Sequence, residues 1–186
     1  KFPDLKTPFS LSDIEVIFDE YEPASDPNCL YYTHELLFSH FNHGKFFSVL
    51  SLNIQSIHAK AGEISSFLLN MSSASIIFDA LCFQETWLDA NDFSLQIPGY
   101  RLIDRPASST AHGGLAIYIR EIYEVEEIFS SDTNANWEGL FVKVKVNANK
   151  STIIGNVYRP PRSLREDMHS FINSFSDALN LIEFRN

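Results

Sequence analysis

From Phe46 onward, apolar positions fall into short runs whose period switches between two residues and a helical turn. Phe46 to Ile54 is apolar on both alternating faces, which predicts a strand buried on both sides. Ala61, Ile64, Leu68 and Met71 recur at helical spacing and predict a helix with one apolar face. A second buried strand is expected over Ile76 to Phe83, running into Gln84-Glu85-Thr86-Trp87. Tyr100 to Asp104 reads as a short strand after the Pro98-Gly99 turn, and Gly113-Gly114 opens another over Leu115 to Ile119. Leu140 to Val146 sets Leu and three Val against Phe and two Lys, the pattern of a strand with one wetter face. Asn147 to Lys150 turns that strand into Thr152 to Tyr158, a hairpin stopped by Pro160-Pro161. The last element is a helix: Ser163 and Glu166 have capping-box spacing, and Leu164, Met168, Phe171, Ile172, Phe175, Leu179 and Ile182 form its apolar stripe.

Residues 1–44 differ. Pro3, Pro8, Pro23 and Pro27 interrupt them, leaving room for a short acidic helix over Leu11 to Tyr21 and an aromatic segment over Tyr31 to Phe41. The reading is an acidic leader, 1–44, followed by an organised portion, 45–186. With 186 residues, 45% of them hydrophobic and 20% charged, the chain has enough apolar material for one sizeable core. No apolar run reaches membrane-spanning length, so no membrane association is expected. The first residues carry neither an initiator Met nor a signal-peptide pattern, so the front end is expected to be a fragment's, its compartment unmarked.

The net charge is −10, of which residues 1–44 contribute −6 (two Lys against eight acidic residues) and residues 45–186 contribute −4. Neither part is basic, which argues against tight nonspecific nucleic-acid binding. Cys29 and Cys82 are the only cysteines, too few for a disulfide framework, and Cys82 in its apolar run is expected to be buried and inert. His34, His40 and His43 cluster without helical metal spacing or an acidic partner and stay unassigned. Asn70-Met71-Ser72 matches a glycosylation triplet, but inside an expected helix it reads as chance.

Three polar residues stand at the carboxyl ends of apolar strands: Asn53, Glu85 and Tyr158. Strand ends on one edge of a sheet are where a rigid scaffold presents side chains convergently. Each also has an ordinary explanation: a strand-end Asn caps a turn, a lone Glu is solvated, and a Tyr sits at a core rim. Their flanking residues change the weighing. Ser51-Leu52-Asn53-Ile54-Gln55-Ser56 resembles the opening strand of the endonuclease/exonuclease/phosphatase superfamily, and Gln84-Glu85-Thr86-Trp87-Leu88 resembles its second motif. Ile97-Pro98-Gly99-Tyr100, Arg105 and His112-Gly113-Gly114-Leu115-Ala116-Ile117-Tyr118 are similar to the following stretch in non-LTR retrotransposon endonucleases. Asn156-Val157-Tyr158-Arg159-Pro160-Pro161 resembles the strand carrying that family's active-site Tyr.

The resemblance implies an α+β fold: a partial two-sheet β-sandwich flanked by helices, deoxyribonuclease I-like and mainly its N-terminal half. It implies Mg²⁺ (or Mn²⁺), with Glu85 as metal carboxylate, Asn53 orienting a phosphate or a metal-bound water, and Tyr158 steadying the transition-state phosphate. Phosphodiester hydrolysis suits these residue types, because charge on the phosphoryl oxygens and the leaving alkoxide must be neutralised. DNA is the implied partner and an intracellular location the implied setting. Arg159 and His112 are weaker candidates for phosphate contact, with solvation the safer reading, and Glu138-Gly139 resembles a recurrent family position of structural character. The family's Gly-Asp-x-Asn and Asp-His motifs occur nowhere in the sequence, so no residue is a candidate general base. A fragment without activity is therefore expected, an uncovered apolar sheet face with it, and poor solubility as the consequence. Two alternatives stay open: a non-catalytic retroelement remnant, and a phosphoesterase of the same superfamily acting on lipid or inositol phosphates.

Overall fold

The computed structural model describes residues 46–89, 95–107, 112–132, 136–160 and 165–184. The leader with its expected helix, aromatic segment, Cys29 and three histidines lies outside them, as do Ser163, Leu164 and the Glu166 side chain. The elements run β1 (Val49–Asn53), α1 (Ile57–Ser73), β2 (Ala80–Gln84), β3 (Tyr100–Arg105), β4 (Leu115–Arg120), β5 (Glu124–Ser130), β6 (Glu138–Asn147), β7 (Lys150–Tyr158) and α2 (Arg165–Phe184). Among the described residues this is an α+β arrangement with two sheets, of four and three strands, and two helices. Phe47–Lys60 and Phe78–Asn186 form one compact unit, while Ala61–Ile77, most of α1, belongs to another. Within α1, Ile57, Ile64 and Met71 are buried at two-turn spacing.

The first sheet has the order β1-β2-β4-β3, with β1 and β2 parallel and β4 antiparallel to both its neighbours. A parallel pair needs a crossover, and α1 supplies it. The second sheet is an antiparallel meander, β5-β6-β7. Asn147 makes the β6–β7 turn by accepting the Asn149 N–H on its side-chain oxygen at 3.0 Å. The sheets pack face to face. Ala80, Cys82, Leu115, Ile117 and Ile119 meet Leu140, Val142, Val144 and Ile154 in one apolar cluster. On the outer face of the second sheet, Phe171, Phe175, Ala178 and Ile182 of α2 enclose Ile128, Trp137 and Phe141.

Several expectations are corrected. The first strand, at an edge of its sheet, is not buried on both sides: Val49, Ser51 and Asn53 share one face and are exposed, while Leu50 and Leu52 on the other are half-buried. The second strand starts at Ala80; the residues before it lead to Asp79, whose carboxylate accepts the Ser48 N–H and hydroxyl at 2.8 and 2.9 Å. β5 is an element the apolar pattern conceals. Its Glu126-Glu127 pair breaks the alternation, and a bulge between Glu127 and Phe129 turns consecutive Ile128 and Phe129 onto the same α2-facing cluster. The wetter face of β6 is covered at one end, since α2 packs on Phe141. Finally, the inner face of the first sheet is not left bare, because β6 and β7 cover it.

Candidate functional site

Asn53 ends β1, and Glu85 follows β2 directly. The two strands are parallel with Asn53 opposite Gln84, so both side chains leave from the same edge of the first sheet. Tyr158 ends β7 in the second sheet. What brings it to that edge is Asn156. This buried side chain donates from Nδ2 to the carbonyls of Phe83 and Ala116, at 2.9 and 3.1 Å, and accepts from Gln84 Nε2 on Oδ1. Gln84 Nε2 also donates to Ser51 Oγ at 3.1 Å. Thus the residues just before Glu85 and Tyr158 tie β1, β2, β4 and β7 into one polar clamp within an apolar sandwich.

The three side chains meet on Glu85. Asn53 Nδ2 donates to Glu85 Oε1 at 2.7 Å, and the Tyr158 hydroxyl hydrogen-bonds the same carboxylate. Burial, then the Glu85 charge and hydrogen bond, then the Glu138 charge push the Tyr158 phenol up to about 12. At neutral pH it is therefore a proton-bearing donor and not a base. Both groups reaching Glu85 are neutral, so they orient the carboxylate without cancelling its charge.

The backbone beside Glu85 is unusual. Glu85 (φ 54°), Trp87 (φ 57°), Gln55 (φ 46°) and Ser56 (φ 89°) all occupy the left-handed region without being glycine. Such residues persist only where surroundings hold them, each costing on the order of 1–3 kcal/mol. The holding bonds are present: Ile54 N–H to Gln84 O at 3.0 Å, Ser56 N–H to Glu85 O at 2.8 Å, and Ile57 N–H to Thr86 O at 2.9 Å. On the other side, Thr86 and Trp87 donate their N–H groups to Gly114 O and Gly113 O at 3.1 and 2.9 Å.

Among the described residues no three His, Cys, Asp or Glu side chains gather closely enough to hold a metal ion by themselves. A hard cation would rest on the Glu85 carboxylate, the Asn53 amide oxygen and water. That donor set fits Mg²⁺, which keeps several waters and takes few protein oxygens.

No protein-family model matches the chain, and no curated protein matches it significantly. The site therefore stands on its own geometry.

The weaker candidates, Arg159 and His112, have ring contacts. Arg159 is half-buried with its guanidinium 5.7 Å from the centre of the Phe171 ring. His112 is exposed and meets the edge of Trp87 at a ring-centre distance of 5.9 Å. Gln84 and Asn156, unmarked by the strand-end reasoning, prove to be the residues that join the sheets. Glu138 is buried against Arg105 at 2.9 Å, and its Oε2 accepts the Gly114 N–H at 2.6 Å. Cys82 is buried and free, its thiol pushed up to about 12 by burial, in keeping with an inert core residue. Among the described residues no helix is long and apolar enough to cross a membrane.

Proposed function

We propose that this chain carries the metal- and phosphate-holding part of a Mg²⁺-dependent phosphodiesterase site of the endonuclease/exonuclease/phosphatase type. The sandwich would be deoxyribonuclease I-like and DNA the substrate, as in a retrotransposon endonuclease. The observation that carries the reading is the meeting of Asn53, Glu85 and Tyr158 on one carboxylate, from three strand ends in two sheets. Glu85 and Asn53 would hold the cation, which when bound neutralises charge on the phosphodiester. Tyr158, protonated at neutral pH, would donate to a phosphoryl oxygen, where a fixed donor acts most strongly in the transition state. Asn53 sets the carboxylate's orientation by donating to Oε1.

Water activation has no residue assigned to it here, because the Gly-Asp-x-Asn and Asp-His motifs are absent from the sequence. The chain is accordingly expected to bind Mn²⁺ and to show little EDTA-sensitive nicking of supercoiled plasmid. Mn²⁺ binding, followed by electron paramagnetic resonance, should weaken at least about tenfold in Glu85→Ala. Equal Mn²⁺ affinity in Glu85→Ala and the unaltered chain would end the metal assignment.

A further inference from the structure

Glu138 and Arg105 form an ion pair that the proposed chemistry does not use, yet both are almost completely buried, at 5% and 4% exposure. Buried ion pairs seldom stabilise more than apolar side chains of the same shape would, so the reason for this one lies in what it holds. Arg105 is fixed on carbonyls: it donates to Ser131 O at 3.1 Å, Asp132 O at 3.0 Å and Pro106 O at 3.3 Å. Glu138 Oε1 then takes Arg105 at 2.9 Å, leaving Oε2 to accept the Gly114 N–H at 2.6 Å. No apolar residue could provide that second contact.

The glycines are shaped for it. Gly113 and Gly114 adopt φ values of +92° and +85°, and a Cβ on Gly113 would fall 2.6 Å from Glu138 Oε1. Their carbonyls accept the N–H groups of Trp87 and Thr86, the two residues that follow Glu85. Glu138 also lies opposite Tyr158 in the β6–β7 ladder. A continuous path of short contacts thus runs from Arg105 through Glu138 and the glycine pair to the left-handed turn at Glu85.

We propose that Glu138 is a positioning residue: anchored by Arg105, it fixes Gly113-Gly114 and through them the backbone turn that presents Glu85. The turn's importance for metal binding rests on the reading of Glu85 given above, but the coupling itself does not.

The test uses amide hydrogen exchange by NMR on the unaltered chain, Glu138→Gln and Glu138→Asp, with Mn²⁺ affinity measured on the same samples. In Glu138→Gln, exchange at Thr86 and Trp87 should accelerate at least about tenfold while the β6–β7 ladder keeps its protection; Mn²⁺ affinity should fall by about tenfold, as for other residues that orient a metal ligand. A purely structural role predicts loss of protection everywhere together, and that pattern overturns the proposal. Unchanged exchange at Thr86 and Trp87 in folded Glu138→Gln overturns it as well. Should Glu138→Gln not fold, Glu138→Asp carries the test, since it keeps both charges while its shorter side chain cannot hold Arg105 and the Gly114 N–H together. Local loosening there supports the coupling and its absence refutes it. If the unaltered chain binds no Mn²⁺ but the exchange changes are seen, the coupling stands and the metal reading falls.

Discussion

Replacing Asn156 tests whether the two sheets are held in register by polar bonds as well as by apolar contact. Asn156 is 2% exposed and makes three hydrogen bonds, two donated to strand carbonyls and one accepted from Gln84. In Asn156→Leu all three disappear while the number and branching of side-chain heavy atoms are kept. At a net value of roughly 1 kcal/mol per bond, the loss is about 3 kcal/mol, and the added apolar surface returns about 1 kcal/mol of it. The expected cost is therefore about 2 kcal/mol. Asn156→Asp keeps the shape but turns the donor into an anion facing two carbonyl oxygens. A buried unpaired charge costs on the order of 3–5 kcal/mol, so Asp should be the worse replacement. Burial raises that carboxyl's pKa in the folded state above its unfolded value. The variant should therefore gain stability relative to the unaltered chain as pH falls from about 7 to about 5. Urea unfolding at several pH values, with slopes checked for constancy, measures both effects. If Asn156→Leu lies within about 0.5 kcal/mol of the unaltered chain and Asp is no worse than Leu, the clamp contributes nothing.

Asp79 offers a pH test of opposite sign. Burial pushes its carboxyl upward, but hydrogen bonds from Ser48 and Tyr123 and the Arg120 charge outweigh this and hold it below the ordinary 3.8. Its stabilisation is thus complete above that ordinary value and fades as pH falls through the lower folded one. The stability gap between the unaltered chain and Asp79→Asn should be constant near neutrality and shrink below about pH 4, as read by unfolding titrations. Trp137 is 2% exposed, packs on Phe129, Phe171 and Phe175, and donates to Ser174 Oγ at 2.9 Å; Trp137→Ala should cost about 3–5 kcal/mol in the same assay. Cys82 should resist thiol reagents at about pH 8 in the folded chain and react only on unfolding, so rapid labelling under native conditions would contradict its burial.

The strands and helices that can be read from the sequence are those whose apolar period matches the layer covering them. Leu140, Val142 and Val144 alternate because one face of β6 meets the first sheet. The α2 stripe is legible only in part: Phe171, Phe175 and Ile182 lie on the second sheet together with Ala178, whereas Met168, Ile172 and Leu179 are exposed. Periodicity misleads where one strand serves two environments. In β1 the alternate residues Val49, Ser51 and Asn53 are exposed while Leu50 and Leu52 are half-buried, so the polar Ser51 and Asn53 mark an open face that the flanking apolar residues conceal. β5 is masked because its bulge puts two consecutive apolar residues on one face, and a strict two-residue alternation cannot represent that.

The candidate site divides along a different line. Asn53, Glu85 and Tyr158 are legible because each is a polar residue terminating an apolar run, a local signal. The groups that hold them in place have no such signal. Gln84 and Asn156 are 72 residues apart, and Arg105, Gly114 and Glu138 come from three strands or the turns beside them. Their meaning exists only once the strands are ordered and paired. Yet these distant bonds give the local residues their geometry: a left-handed Glu85 would relax to an extended or helical conformation without the ladder on one side and Gly113-Gly114 on the other. A side chain that must meet a ligand at fixed distance needs its backbone held from more than one direction. In this chain the clamp at Asn156 and the strut at Glu138 stand on paired strands of the second sheet, β7 and β6. They reach neighbouring backbone of the first sheet, the Ala116 carbonyl and the Gly114 N–H, so their effects on the same carboxylate should couple, and the double variant should depart from the sum of the single ones.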